Sequence, residues 1–221
     1  MVTWPVTWEV GSAAELHGRP LPADPRRSVQ VLAVDRPALV LGSTQPEADA
    51  DAGALASAGV ALARRRSGGG AVLLEPGGTL WVDVTVPRDD RLWSDDVGVA
   101  FHWLGRAWQA ALGDLGVEAD VHEGALVRTT WSRLVCFAGL GPGEVVVGGA
   151  KVVGIAQRRT RAGARFQCAL LHRWDPSATL RLLRLDAAAR GRAATDLARA
   201  GAGVDLPERT VVEALVSRLP S

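Results

Sequence analysis

Gly148-Gly-Ala-Lys-Val-Val-Gly-Ile-Ala-Gln157 is the stretch on which the reading of this chain turns, because it holds the single lysine in 221 residues. The other 24 of the 25 basic residues are arginine. In a chain so biased, a solitary lysine marks a place where a compact ammonium on a flexible stem is needed and a planar guanidinium fork does not fit. The alternative is a lysine left by chance on a hairpin. Residues 144–147 and 152–155 are runs rich in β-branched side chains joined by Gly148, Gly149 and Ala150. That pattern predicts a hairpin with Lys151 at the start of its second strand.

Working outward from the hairpin, residues 134–137 predict a short strand that ends at Gly139-Leu-Gly-Pro-Gly143, and residues 117–122 another. Before them, residues 95–115 hold the best helix of the chain, with Phe101, Leu104, Trp108, Ala111 or Leu112, and Leu115 at the spacing of a buried stripe and Gly116 at its end. Downstream lie a basic turn at 157–163, a strand at 166–171, and a helical Arg/Ala/Leu-rich region from Asp175 that closes with an amphipathic helix at 207–219. Upstream, residues 28–34 and 38–41 predict a strand pair around Asp35-Arg36-Pro37, followed by a helix at 47–58 capped by Gly59 and a strand at 60–63. That strand runs into Arg64-Arg-Arg-Ser-Gly-Gly-Gly-Ala-Val72. Three consecutive glycines are costly to order, so the turn serves either to bring backbone N–H groups close to a ligand or to make a sharp bend. Residues 80–86 form an apolar strand, and residues 1–27, rich in Trp, Pro and Gly, read as an irregular arm packing through Trp4 and Trp8. Strands and helices intermix without repeats, which predicts one mixed α+β domain.

With 48% hydrophobic residues the chain can build a core, and a formal charge of +1 gives no reason to expect nucleic-acid binding. No stretch approaches the length of a membrane span, and no signal-like segment opens the sequence, so a soluble cytoplasmic protein without a membrane partner is expected. Cys136 and Cys168 do not make a disulfide framework and are expected as free thiols.

Three stretches, in this order and spacing, resemble the lipoate-protein ligase and octanoyltransferase family: the turn at 64–72, Cys136-Phe137, and Lys151-Val-Val-Gly-Ile-Ala-Gln157. That family shares its catalytic-domain fold with biotin-protein ligases. The likeness covers about residues 28–185 and implies a central mixed, largely antiparallel sheet flanked by helices, as a catalytic domain over 28–221 behind the arm at 1–27. It implies that Arg65, Arg66, Ser67, Gly68, Gly69, Gly70, Ala71 and Val72 line an acyl pocket, with Gly154, Ile155 and Ala156 along the ligand channel. An apolar tunnel from Val72, Leu73, Trp81 and Val153 is expected for the acyl chain. Removing its roughly six methylenes from water is worth about 5 kcal/mol.

Two catalytic residues follow from the resemblance. Cys136 is similar to the nucleophile of the cysteine-dependent octanoyltransferases, which takes an acyl group from acyl carrier protein and passes it to a lysine of a lipoyl domain without a cofactor. Lys151 is similar to the motif lysine that contacts the acyl carbonyl and stabilises the oxyanion. The residue chemistry of Cys136 alone leaves a second reading, a small buried hydrophobe at a strand end. The ligase branch is the alternative activity: free lipoate with ATP and Mg, forming lipoyl-AMP, often with an accessory chain. A third reading is a non-catalytic binder of acyl groups or lipoyl domains. Departures from the family pattern keep it open: Leu74-Glu75 stand where His-Asp is usual, Gly77-Gly78 where Gly-Asn is usual, Gln167-Cys168-Ala169 where many members have His-Gly, and the chain has no Asn.

Overall fold

The longest strands of the chain, β6 (Thr79–Pro87), β9 (Ala150–Arg159) and β10 (Gly163–Leu171), are its most regular β-branched and apolar runs, and they form the centre of a seven-stranded sheet. In the computed structural model, which describes residues 4–221, the order of that sheet is β1-β2-β6-β10-β9-β8-β7. Its other members are β1 (Val6–Gly11), β2 (Ser28–Val34), β7 (Asp120–Val121) and β8 (Val145–Val147). Every neighbouring pair is antiparallel except β1 with β2. The fold is thus mixed α/β with a largely antiparallel sheet. A second, three-stranded sheet has the order β4-β3-β5, from β3 (Ala38–Leu41), β4 (Ala61–Arg64) and β5 (Val72–Leu74).

Alternation along the strands decides what covers each face. One face of the large sheet presents Val82, Val84, Phe166, Cys168 and Val153 to α3 (His102–Asp114) and α6 (Glu208–Arg218), and this is the main core. The helical stripe at Leu104, Trp108, Ala111 and Leu112 is fully buried there. β3 is buried at all four positions because both its faces are covered. Ala38 and Val40 pack with Trp81 and with Leu16 of α1 (Ala13–Gly18), whereas Leu39 and Leu41 pack with α2 (Ala52–Ala58), α4 (Pro176–Leu180) and α5 (Ala187–Leu197).

Several expectations are corrected. The strands at 28–34 and 38–41 exist but do not pair, since the Asp35-Arg36-Pro37 turn carries the chain from the large sheet to the small one. The stretch expected to be an irregular arm contains β1 and α1, whose N-cap Ser12 and Glu15 form a reciprocal capping box. Trp4 is buried as expected, but Trp8 is 46% exposed beneath Arg209. The helix at 47–58 is broken: a 3-10 turn at Glu47–Asp49 precedes α2, which Asp51 caps and Gly59 ends at φ 64°. Residues 134–137 form no strand. Backbone bonds from Leu134 and Val135 to Trp131 tighten the chain, and a 3-10 turn, Cys136–Ala138, follows. No helix among the described residues is long and apolar enough to cross a membrane.

Candidate active site

The glycine turn and the cysteine loop are stitched together by backbone. Ala71 N–H donates to Leu134 O at 2.8 Å, and Cys136 N–H donates to Ala71 O at 2.9 Å. A methyl group at Gly70 would collide with the backbone of Leu134 and Val135, so a residue without Cβ is required for this approach. Arg65, 5% exposed, folds beneath the turn: Nη1 donates to Val40 O (3.3 Å) and Nη2 to Gly68 O and Gly70 O (2.8 Å each). The same Nη2 lies 3.8 Å from Cys136 Sγ. The charged group against the thiol is therefore Arg65.

Lys151 enters from the other side. Gly148 and Gly149 turn the β8–β9 hairpin at φ 56° and 82°, the left-handed pair that a two-residue hairpin favours. The strand thereby starts at Ala150, and Lys151 follows with 3% exposure. Its ammonium meets Glu144 Oε1 at 2.7 Å and donates to Gly139 O at 3.2 Å and Cys136 O at 3.4 Å. It also sits 4.8 Å from the Phe137 ring centroid. Glu144 is committed through both oxygens, with Oε1 also accepting from Ile155 N–H (3.1 Å) and Oε2 from Gly141 N–H (2.6 Å). On the far side of β9 the C-terminal region holds the lysine backbone: Lys151 N–H donates to Ala200 O and Ala202 N–H to Lys151 O, both at 2.9 Å. The lysine side chain runs past Gly154, where a Cβ would come within 3.1 Å of Lys151 Cε.

These elements enclose a cavity of about 970 Å³, at the upper end of the usual range for small-molecule sites. Cys136, Lys151, Arg65, Ser67, Gly68, Gly69, Val72, Gly154, Ile155 and Ala156 all line it. Three other residues expected there do not: Arg66 is exposed and bonds Gly18 O, while Gly70 and Ala71 face the cysteine loop. In the apolar wall Val72 and Trp81 stand as expected, but Leu74 takes the place assigned to Leu73, because Leu74 shares the strand face of Val72 and Leu73 points the opposite way, and Val153 lies in the main core. Cys136 keeps some exposure, whereas Cys168 is fully buried, and burial pushes its thiol far above the ordinary range.

Sequence reasoning missed Glu144 and His17. Glu144 opens an otherwise apolar strand, and the irregular pairing between β8 and β9 at Val145/Val146 is invisible in sequence. His17 lay in the stretch read as irregular, yet its ring lines the cavity, stacked on Trp81 with centroids 4.2 Å apart.

A family model described as the lipoyl protein ligase A/B catalytic domain matches residues 18–204. No curated protein matches the chain in sequence. Among solved structures, the bi-partite lipoate protein ligase of Thermoplasma acidophilum, studied with its E2 lipoyl domain, is 19% identical with a TM-score of 0.75, covering 98% of this chain and 82% of that one. A lipoate-protein ligase A bound with ATP is 18% identical with a TM-score of 0.70, covering 98% and 84%. LipL1 of P. falciparum in complex with lipoate is 11% identical with a TM-score of 0.61, covering 97% and 60%. At these identities the likeness is one of fold.

Proposed function

The chain belongs to the lipoyl protein ligase A/B catalytic-domain family, and from that membership we propose that it transfers an octanoyl or lipoyl group from acyl carrier protein to a lysine of a lipoyl domain through a thioester on Cys136. One observation carries this reading: the thiol that keeps some exposure and the single lysine of the chain line the same cavity, and the lysine ammonium on β9 bonds the backbone carbonyl of Cys136. The Cys136 sulfur, as thiolate, attacks the carbonyl carbon of the donor thioester. The bond to the carrier sulfur breaks, and the carrier leaves as a thiol with the proton that Cys136 gave up. The acceptor amine then attacks the Cys136 thioester, an amide forms, and the amine's proton returns to the Cys136 sulfur. Arg65 supplies positive charge beside that sulfur. Lys151 can turn toward the oxyanion by releasing one of its two longer carbonyl contacts while keeping Glu144.

A second reading, ATP-dependent ligation of lipoate, is favoured by Arg128 and Arg133 in the cavity wall, since exposed guanidinium groups suit phosphates. ATP would then be a substrate, and Mg the cofactor that accompanies it. Glu144 would have to give up one of its bonds to meet a cation. A separate accessory chain would join this reading, as for the bi-partite archaeal ligase.

Intact-mass spectrometry after incubation with octanoyl-acyl carrier protein tests the first reading. One added acyl group in the wild type and in Cys168→Ser, lost in Cys136→Ser, supports it. No adduct on the wild type defeats it, and lipoate-dependent ATP–pyrophosphate exchange would then establish the ligase.

A further inference from the structure

The cavity wall carries a polar set that acyl transfer at Cys136 does not use. Gln167 Nε2 stands 3.4 Å from His17 Nδ1, and both residues line the cavity. The Gln167 side chain also lies beside the buried Asp83 carboxylate and favours its ionised form, and an ionised carboxylate can only accept. The nitrogen end of that amide therefore serves both neighbours, which makes His17 Nδ1 an acceptor. In a neutral imidazole the hydrogen then sits on Nε2. Burial, with a smaller push from Arg65, holds the ring neutral by lowering its pKa to about 3. Nε2 has no hydrogen-bond partner among the described residues, and the residue is 8% exposed. An enclosed N–H without an acceptor is costly, and a ligand that brings one removes the cost.

Strand register locates this donor along the cavity. Gly154, which the Lys151 side chain crosses, pairs with Ala169, and Ala169 pairs with Trp81. Two residues along β9, Ala156 pairs with Gln167, and Gln167 with Asp83. The row bearing Gln167 and its partner His17 is thus about 7 Å along the strands from the lysine row. An acyl group whose carbonyl lies at Cys136 and Lys151 and whose chain crosses Gly154 and Ala156 brings its tail to His17.

We propose that His17 is a specificity-determining residue whose Nε2–H selects acyl tails carrying an acceptor atom, such as the sulfurs of a dithiolane ring, over all-carbon tails of the same length. The inference rests on the acyl-binding reading of the cavity. Sulfur is a weak acceptor, so the preference is about three- to tenfold, below the hundredfold that an unpaired donor can impose.

Calorimetric titration of the full chain with octanoate, thia-octanoates carrying sulfur at the sixth or seventh carbon, and lipoate tests it. Replacing one methylene by sulfur should lower Kd about three- to tenfold in the wild type. In His17→Phe, which keeps a ring on Trp81 but no donor, that ratio should collapse to near unity while octanoate binds as well or better. Equal binding of octanoate and both thia-octanoates by the wild type overturns the role, as does a preference that persists in His17→Phe. A variant that weakens every acid alike shows a merely structural histidine. If His17→Phe does not fold, the wild-type comparison decides alone. Failure of every acid to bind the wild type defeats the acyl-cavity reading itself, and the specificity role with it.

Discussion

Glu144→Gln keeps the shape of the side chain and removes its charge, leaving the Lys151 ammonium, 3% exposed, without the carboxylate now 2.7 Å away. Breaking a buried pair by removing one partner costs about 3–5 kcal/mol, because the remaining charge is uncompensated. The variant also turns an NH2 group toward one of the backbone donors that now share the carboxylate, Gly141 N–H or Ile155 N–H. With a urea slope near 3 kcal/mol/M, the unfolding midpoint should fall by roughly 1–1.7 M at constant slope. Lys151→Met alone strands the carboxylate instead. The double variant Glu144→Gln/Lys151→Met, with neither charge of the pair left, should be more stable than the two single losses predict by about 2 kcal/mol. Urea titrations followed by circular dichroism measure all four corners of this cycle. A midpoint shift below about 0.3 M for Glu144→Gln, or a double variant whose losses simply add, would refute the reasoning that each of these buried charges depends on the other.

Arg65→Lys keeps the charge but loses the fork that grips Val40 O, Gly68 O and Gly70 O. It should destabilise the fold by about 1–3 kcal/mol and speed amide exchange across residues 67–71, seen by hydrogen-exchange mass spectrometry. Gly70→Ala forces the turn away from Leu134 and Val135. It should cost about 1–3 kcal/mol and sharply slow acylation of Cys136 in the mass assay; wild-type rates would contradict the stitched-loop geometry. His17, with its pKa lowered from 6.5 to about 3, binds a proton only in the unfolded chain between those values, so its contribution to stability is lost as pH falls below 6.5. Asp83, raised from 3.8 to about 6 by burial, acts oppositely: folding favours its protonated form, and its contribution is lost as pH rises through 6. Relative to wild type, His17→Phe should therefore gain, and Asp83→Asn lose, about 1.4 kcal/mol per pH unit as pH drops from 6 to 4.5, read from urea midpoints. Parallel pH profiles for the variants and wild type would show that neither group titrates this way.

Local chemistry was legible in the sequence wherever neighbouring residues alone decide the outcome. Gly148 and Gly149 announced a hairpin because two left-handed residues in succession suit almost only glycine. The stripe at Leu104, Trp108 and Ala111 announced a buried helix face because helical periodicity is a property of the chain itself. The turn at 64–72 and the lysine motif were sufficient to identify the family. Tertiary structure alone decided the rest, because each feature joins residues whose separation along the chain carries no pattern. Leaving Ser28–Val34 and Ala38–Leu41 in different sheets depends on which distant strands claim their edges. The 3-10 turn at Cys136 depends on the glycine turn that docks against it. His17 gains its place from Trp81 and Gln167, far along the chain, and Glu144 reaches Lys151 only through the irregular β8–β9 pairing. The sequence by itself determined the family and the most regular elements; packing determined which charge stands beside which, since electrostatic partners are chosen by distance in space.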